Sequence, residues 1–178
     1  MKALGVVLFA VLTAAGAQVS LPMVPVPMTL QSLAVVLAGG ALGPRLGVAA
    51  MLLYLGAAAL GLPVLSEGRS GIEALTGPTA GYLAGFVLAA WACGAAGERG
   101  WLLRPVMGIG VLSAAHLLIL LPGAAWLAHG IGWTDALEGG VAPFLIGAAV
   151  KASAAWLILR GLRTDRRRDR PGRTPAPR

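Results

Sequence analysis

The chain has one cysteine, Cys93, among 178 residues, so it cannot build a disulfide framework of its own. Cys93 lies inside an apolar run and reads as a small buried or lipid-facing residue. Charge is scarce: 12% of residues are charged while 57% are hydrophobic, against about a quarter charged in soluble domains. This excludes an ordinary soluble domain. Acidic residues number only seven and none falls within an apolar run. No His, Cys or carboxylate group recurs at ligand spacing, so neither a metal site nor a cofactor is expected. The G-x-x-x-x-G-K-[ST] phosphate loop is missing, which excludes ATP hydrolysis by that route. H-E-x-x-H and a convincing Ser/His/Asp arrangement are missing too, which argues against an enzyme.

What remains is apolar sequence punctuated by Gly, Pro and charge. It divides into six candidate membrane helices, at 3–19, 30–42, 46–62, 79–96, 105–121 and 143–162. The expected fold is therefore an all-α integral membrane protein, a compact bundle of six transmembrane helices spanning 1–162. The second run is short for a full crossing and needs shielding by its neighbours. Gly43-Pro44-Arg45 separates the second run from the third, and Gly97-Glu98-Arg99-Gly100 the fourth from the fifth.

The basic residues are one-sided. Lys2, Arg45, Arg99, Arg104 and the eight arginines of 160–178 fall at the start, in the even-to-odd loops and at the end. The opposite side has Arg69 alone, together with Glu67, Glu73, Asp135 and Glu138. The positive-inside rule places both termini in the cytoplasm. The outer loops are then 22–29, 63–78 and 122–142. Lys2, the run behind it and Ala15-Gly16-Ala17 also look like a secretory signal and its cleavage site. The polytopic continuation favours an uncleaved first helix. The net charge of +7 is concentrated in the tail, 163–178, where prolines and threonines separate the arginines. Such a tail is expected to be disordered and to touch anionic lipid rather than nucleic acid.

Lys151 is the exception inside the membrane. It stands eight residues into the run 143–159, about 12 Å below the start of a helix that crosses a ~30 Å core. A lysine at that depth costs about 2.5–3.5 kcal/mol, so it faces protein, water or a ligand. No intramembrane acid is evident to pair with it, which makes it a counter-charge for a ligand carboxylate. Snorkelling to an interface is the plainer alternative.

Other residues have two readings each. Ala10 and Ala14 form a small-xxx-small step on the first helix, either bundle packing or a flat docking face for another membrane protein. The first outer loop carries Pro22, Pro25 and Pro27 and no charge, which predicts a stiff lid over the bundle mouth. Thr29 is placed to cap the second helix. Gln31 is either a helix-start residue or a group facing a cavity. Gly77-Pro78-Thr79 opens the fourth helix, whose free N–H groups suit an anion or a carbonyl. Tyr82, one turn further, belongs to an interfacial belt or lines a pocket. His116 is a packing residue or a pocket residue. The five tryptophans read mostly as interface residues, with Trp126 and Trp133 placed to flank a ligand.

Three blocks occur in order: Pro25-Val26-Pro27-Met28-Thr29-Leu30-Gln31, then Gly77-Pro78-Thr79-Ala80-Gly81-Tyr82-Leu83-Ala84-Gly85-Phe86, then Pro143-Phe144-Leu145-Ile146-Gly147 followed by Lys151-Ala152. Over about residues 5–160 the chain resembles the BioY family, the biotin-binding S components of energy-coupling factor (ECF) vitamin transporters. The resemblance implies six helices with cytoplasmic termini in a prokaryotic cell membrane. It implies biotin captured from outside in a pocket formed by the outer ends of the helices and their loops, where Lys151, Tyr82, Thr79, Gly77, Gln31 and His116 are the candidate ligand-binding residues. It also implies partners, a membrane coupling protein and two ATPase subunits, with Ala10 and Ala14 matching the A-x-x-x-A docking step of S components. The family's last motif reads P-F-L-P-G-D-x-x-K. Here Ile146 replaces the second Pro and Ala148 the Asp, three residues from Lys151 and so on its helix face.

The leading reading is a biotin-binding transport subunit without an ATPase of its own. Ala148 keeps open an S component for another small vitamin. A small membrane enzyme using Lys151 as base or nucleophile is the alternative from a different class. Whether the chain works alone, as a homo-oligomer or only with partners is open at this level.

Overall fold

In an apolar solvent a segment must satisfy its own backbone N–H and C=O groups, and the helix does so locally. Each of the six apolar runs forms one. The computed structural model describes residues 2–168. In order its elements are α1 (Lys2–Gln18), the strands β1 (Ser20–Leu21) and β2 (Met28–Thr29), α2 (Gln31–Leu42), α3 (Pro44–Ala59), α4 (Gly71–Thr76), α5 (Ala80–Glu98), α6 (Pro105–Ile131), α7 (Trp133–Gly140) and α8 (Phe144–Arg168). Short 3₁₀ turns lie at Ser66–Gly68 and Trp101–Leu103.

Helices α5, α6 and α8 are long and apolar enough to cross a membrane, while α1, α2 and α3 are apolar but shorter. The 12 residues of α2 rise about 18 Å. Val35, Val36 and Ala38 on it are fully buried, so its neighbours shield it. The bundle is inside-out relative to a soluble one. Its centre sets Ala50, Ala58, Ala89, Ala90, Ala152 and Ala155 among a few large residues such as Met51, Tyr54 and Leu112, whereas Leu8, Val11, Leu52, Leu88, Leu117 and Leu157 are exposed. Small residues inside let backbones approach closely, and large apolar residues outside suit lipid.

Two glycine positions set the helix arrangement. Gly43, at φ 87°, is both the last cap of α2 and the first of α3, so one left-handed residue makes the whole connection. On α5, a side chain at Gly81 would strike the Pro122 carbonyl, and one at Gly85 would strike Leu118 and Ile119. Helices α5 and α6 therefore pack backbone to backbone.

That contact explains a difference from the sequence reading. The fifth run was expected to end at 121, with an outer loop from Pro122. Instead α6 continues through Pro122 to Ile131, and α7 follows. Pro122 removes one N–H and crowds the carbonyl a turn earlier, but α5 lies against this stretch and holds it, with the Tyr82 ring directly over Gly123. The other outer loops are also more ordered than composition implied. Ser20 pairs with Thr29 and Leu21 with Met28 in an antiparallel hairpin, and 63–78 contains α4. Thr29 is not the cap of α2: Leu30 holds that position, without a side-chain cap bond. At the other end α8 runs to Arg168; residues 169–178 of the expected tail lie outside the described residues.

Candidate functional site

The N-terminal ends of α2, α5 and α8 and the middle of α6, roofed by the hairpin and the turn at Ser66, line an open-mouthed cavity of about 650 Å³, counting the open space at its mouth. Its walls are Leu83, Phe86, Ile119, Leu120 and Phe144, with Val26 and Pro27 above. Polar groups are few and come from different elements: Gln31 and Ser32 from α2, Thr79 and Tyr82 from the start of α5, His116 from α6 and Lys151 from α8.

Lys151 sits on α8, whose side chains tilt toward its outer, N-terminal end. Its Nζ donates to the Thr29 carbonyl and to Ser32 Oγ, both at 2.9 Å. An ammonium has three N–H donors, so one remains for a ligand. No aspartate or glutamate lines the cavity. Arg69 and Glu67 form an ion pair at 3.7 Å in the segment between α3 and α4. The Arg69 guanidinium also donates to Ser66 Oγ at 3.3 Å, at the cavity's rim.

Gln31 is buried, and its Oε1 accepts from the Tyr54 hydroxyl of α3 at 2.9 Å. Tyr82 is buried too. Its hydroxyl donates to the Gly140 carbonyl of α7 at 2.8 Å, and its ring meets Phe144 with centroids 6.5 Å apart. It is thus a pocket residue that ties α5 to α7 and α8. His116 is buried, with Nδ1 2.8 Å from the Leu112 carbonyl. Thr79 lines the cavity without making a side-chain cap bond. Among the described residues no group of three or more His, Cys, Asp or Glu lies together to hold a metal.

Five of the six residues read from sequence as ligand-binding thus converge: Lys151, Tyr82, Thr79, Gln31 and His116. Gly77 does not line the cavity; its carbonyl accepts from Trp126 Nε1 at 3.0 Å. Trp126 and Trp133 are exposed and outside the lining, so neither flanks it. Ala10 is buried in the core and Ala14 is half-buried against it, so in this structure they pack within the bundle rather than form an open groove. Ser32 and Tyr54 were missed. Tyr54 carried a signal, as the polar side chain standing in the middle of α3. Of the two motif departures, Ile146 is 79% exposed and points away from the bundle, while Ala148 lines the cavity.

A model of the BioY family matches residues 1–168. The chain belongs to the BioY family. Its relatives include a BioY protein of Pyrococcus horikoshii, 40% identical over 153 residues that cover 86% of this chain and 90% of that one. The biotin transporter BioY of Rhizobium etli is 37% identical over 153 residues, 81% of each chain. That of Thermotoga maritima is 35% identical over 156 residues, 85% of this chain and 89% of its own. Among solved structures, the S-component for biotin from an ECF-type ABC transporter superposes with a TM-score of 0.82 at 25% identity, covering 92% of this BioY chain and 90% of the other. BioY proteins are transporter components rather than enzymes, which removes the enzyme reading of Lys151.

Proposed function

We propose that this BioY chain is the substrate-binding membrane subunit of a biotin import system. It takes biotin from the outer side and delivers it for ATP-driven import by partner subunits, a membrane coupling protein and two ATPases. In this reading α1, α2, α3, α5, α6 and α8 cross the plasma membrane of a prokaryotic cell, with both termini in the cytoplasm. The one-sided arginines and lysines support that orientation.

The observation that carries the reading is the cavity itself: largely apolar, roofed by the hairpin, with one uncommitted N–H of Lys151 and no acid beside it. Such a site fits a small ligand with an apolar body and a carboxylate at one end, which describes biotin. Lys151 holds the carboxylate, Tyr82 and Phe144 shape the wall, and Gln31, Thr79 and His116 face the ligand's polar atoms. Partner docking is assigned to α1, whose outward face carries Leu4, Val7, Leu8 and Val11. Docking at Ala10 and Ala14 requires α1 to part from its neighbours, because Ala10 is buried.

Mass spectrometry of small molecules copurifying with the protein from biotin-fed cells tests the assignment. Intact biotin at near-stoichiometric amount is the expected result. A different vitamin would redirect the ligand assignment, and an altered biotin would contradict a binding subunit.

A further inference from the structure

One buried polar atom of the cavity lining, His116 Nε2, has no partner among the described residues. The His116 ring is 3% exposed, and its Nδ1 lies 2.8 Å from the Leu112 carbonyl. A carbonyl only accepts, so Nδ1 carries a proton. Nε2, on the other edge, is buried without a hydrogen bond. A second buried cation beside Lys151, with no carboxylate in the lining, would stand uncompensated. The ring is therefore neutral and Nε2 presents a lone pair. Among the other lining groups Gln31 Oε1 already accepts from Tyr54, Ser66 Oγ from Arg69 and Ser32 Oγ from Lys151, and Tyr82 turns its O–H to Gly140, so His116 Nε2 is the buried acceptor left without any partner.

The two key groups lie at different levels. Lys151 Nζ is held at Thr29 and Ser32, by the outer end of α2. His116 stands six residues along α6 from Pro122, whose carbonyl abuts Gly81 in the first turn of α5. It therefore lies about 9 Å below that turn. The cavity offers a cationic donor near the hairpin and a lone acceptor deeper in.

We propose that His116 Nε2 accepts a hydrogen bond from a ureido N–H of biotin, which sets the bicyclic ring at the bottom of the cavity and the carboxylate at Lys151. This rests on the biotin reading above. The cyclic urea carries N–H donors that lose water on entering an apolar pocket and need an acceptor there. The carboxylate stands at the far end of the ligand's alkyl chain, where the ammonium is. One nitrogen thus fixes the ligand's direction and rejects compounds that share the acid tail but lack the N–H.

The test measures binding of biotin, and of biotin methylated at either ureido nitrogen, to detergent-purified wild type, His116→Leu and His116→Gln. Wild type should bind biotin and disfavour one methylated form by about tenfold or more. His116→Leu should bind biotin about tenfold more weakly and lose that preference. His116→Gln keeps an acceptor oxygen and should recover most of the affinity. Nitrogen NMR of the wild-type imidazole should show Nε2 moving from a free to a hydrogen-bonded lone pair on adding biotin, with Nδ1 still protonated, so the assignment stands or falls even where a variant does not fold. It is overturned by unchanged biotin affinity in His116→Leu, by all three ligands weakening in parallel, or by an Nε2 signal that ignores biotin. A wild type that binds no biotin overturns the functional reading and this assignment together. Normal wild-type binding with an indifferent His116→Leu overturns this assignment alone.

Discussion

Lys151 illustrates how a charge is kept inside an apolar bundle. Its side chain leans back along α8 and spends two of its donors on Thr29 and Ser32, which leaves a directed third. Lys151 and His116 stood out in the sequence as polar residues inside apolar runs, and Gln31, Gly77, Thr79 and Tyr82 as residues at helix starts; five of the six line one cavity. Gly77 did not, because a glycine at a helix entrance offers only backbone and its carbonyl went to Trp126. The roles of Ser32 and Tyr54 were not legible because they depend on partners: Tyr54, visible as a polar side chain in α3, matters through Gln31, 23 residues away. Tyr54→Phe should leave Gln31 Oε1 buried without its donor and destabilise the protein by about 1–3 kcal/mol. Chemical denaturation in detergent micelles measures this, and stability equal to wild type would show that Gln31 finds another partner.

At the scale of elements, six apolar helices were legible from composition, with ends within a few residues except at Pro122 and at the end of α8, which runs to Arg168 rather than 162. The exception at Pro122 has a packing cause invisible locally, since α5 supports α6 across the proline only because Gly81 and Gly85 permit contact. Gly85→Val should force those backbones apart and cost about 1–3 kcal/mol or more, read as a lower melting temperature in micelles; an unshifted melting temperature would contradict the close approach. The hairpin between α1 and α2 supplies the roof. Val26 is 4% exposed and faces the cavity, while Val24 at its tip is 92% exposed. A cysteine at Val26 should label slowly with an external thiol reagent and more slowly still with biotin present. A cysteine at Val24 should label fast in both conditions. Equal protection of both sites by biotin would point to a global change instead of a lid.

For the whole molecule, large apolar residues on the outside and one-sided basic charge suit a membrane subunit, and the proposed function puts its ligand near one face and its partners near the other. Ala10 and Ala14 were legible as small residues, but the sequence could not say which side of α1 they occupy, since every side is apolar. Replacing both with Trp should abolish uptake in cells and copurification with a coupling protein. If biotin affinity falls in parallel, the pair acts through bundle packing alone, as the burial of Ala10 would have it. The central claim is that this bundle captures biotin by its carboxylate at Lys151. It is tested most directly by calorimetric titration of biotin and of uncharged biotin amide into wild type and Lys151→Ala. The account predicts that the substitution weakens biotin by about 1.5–3 kcal/mol, that wild type binds the amide about as weakly, and that the variant no longer distinguishes the two. Equal affinity of wild type for biotin and biotin amide would contradict it.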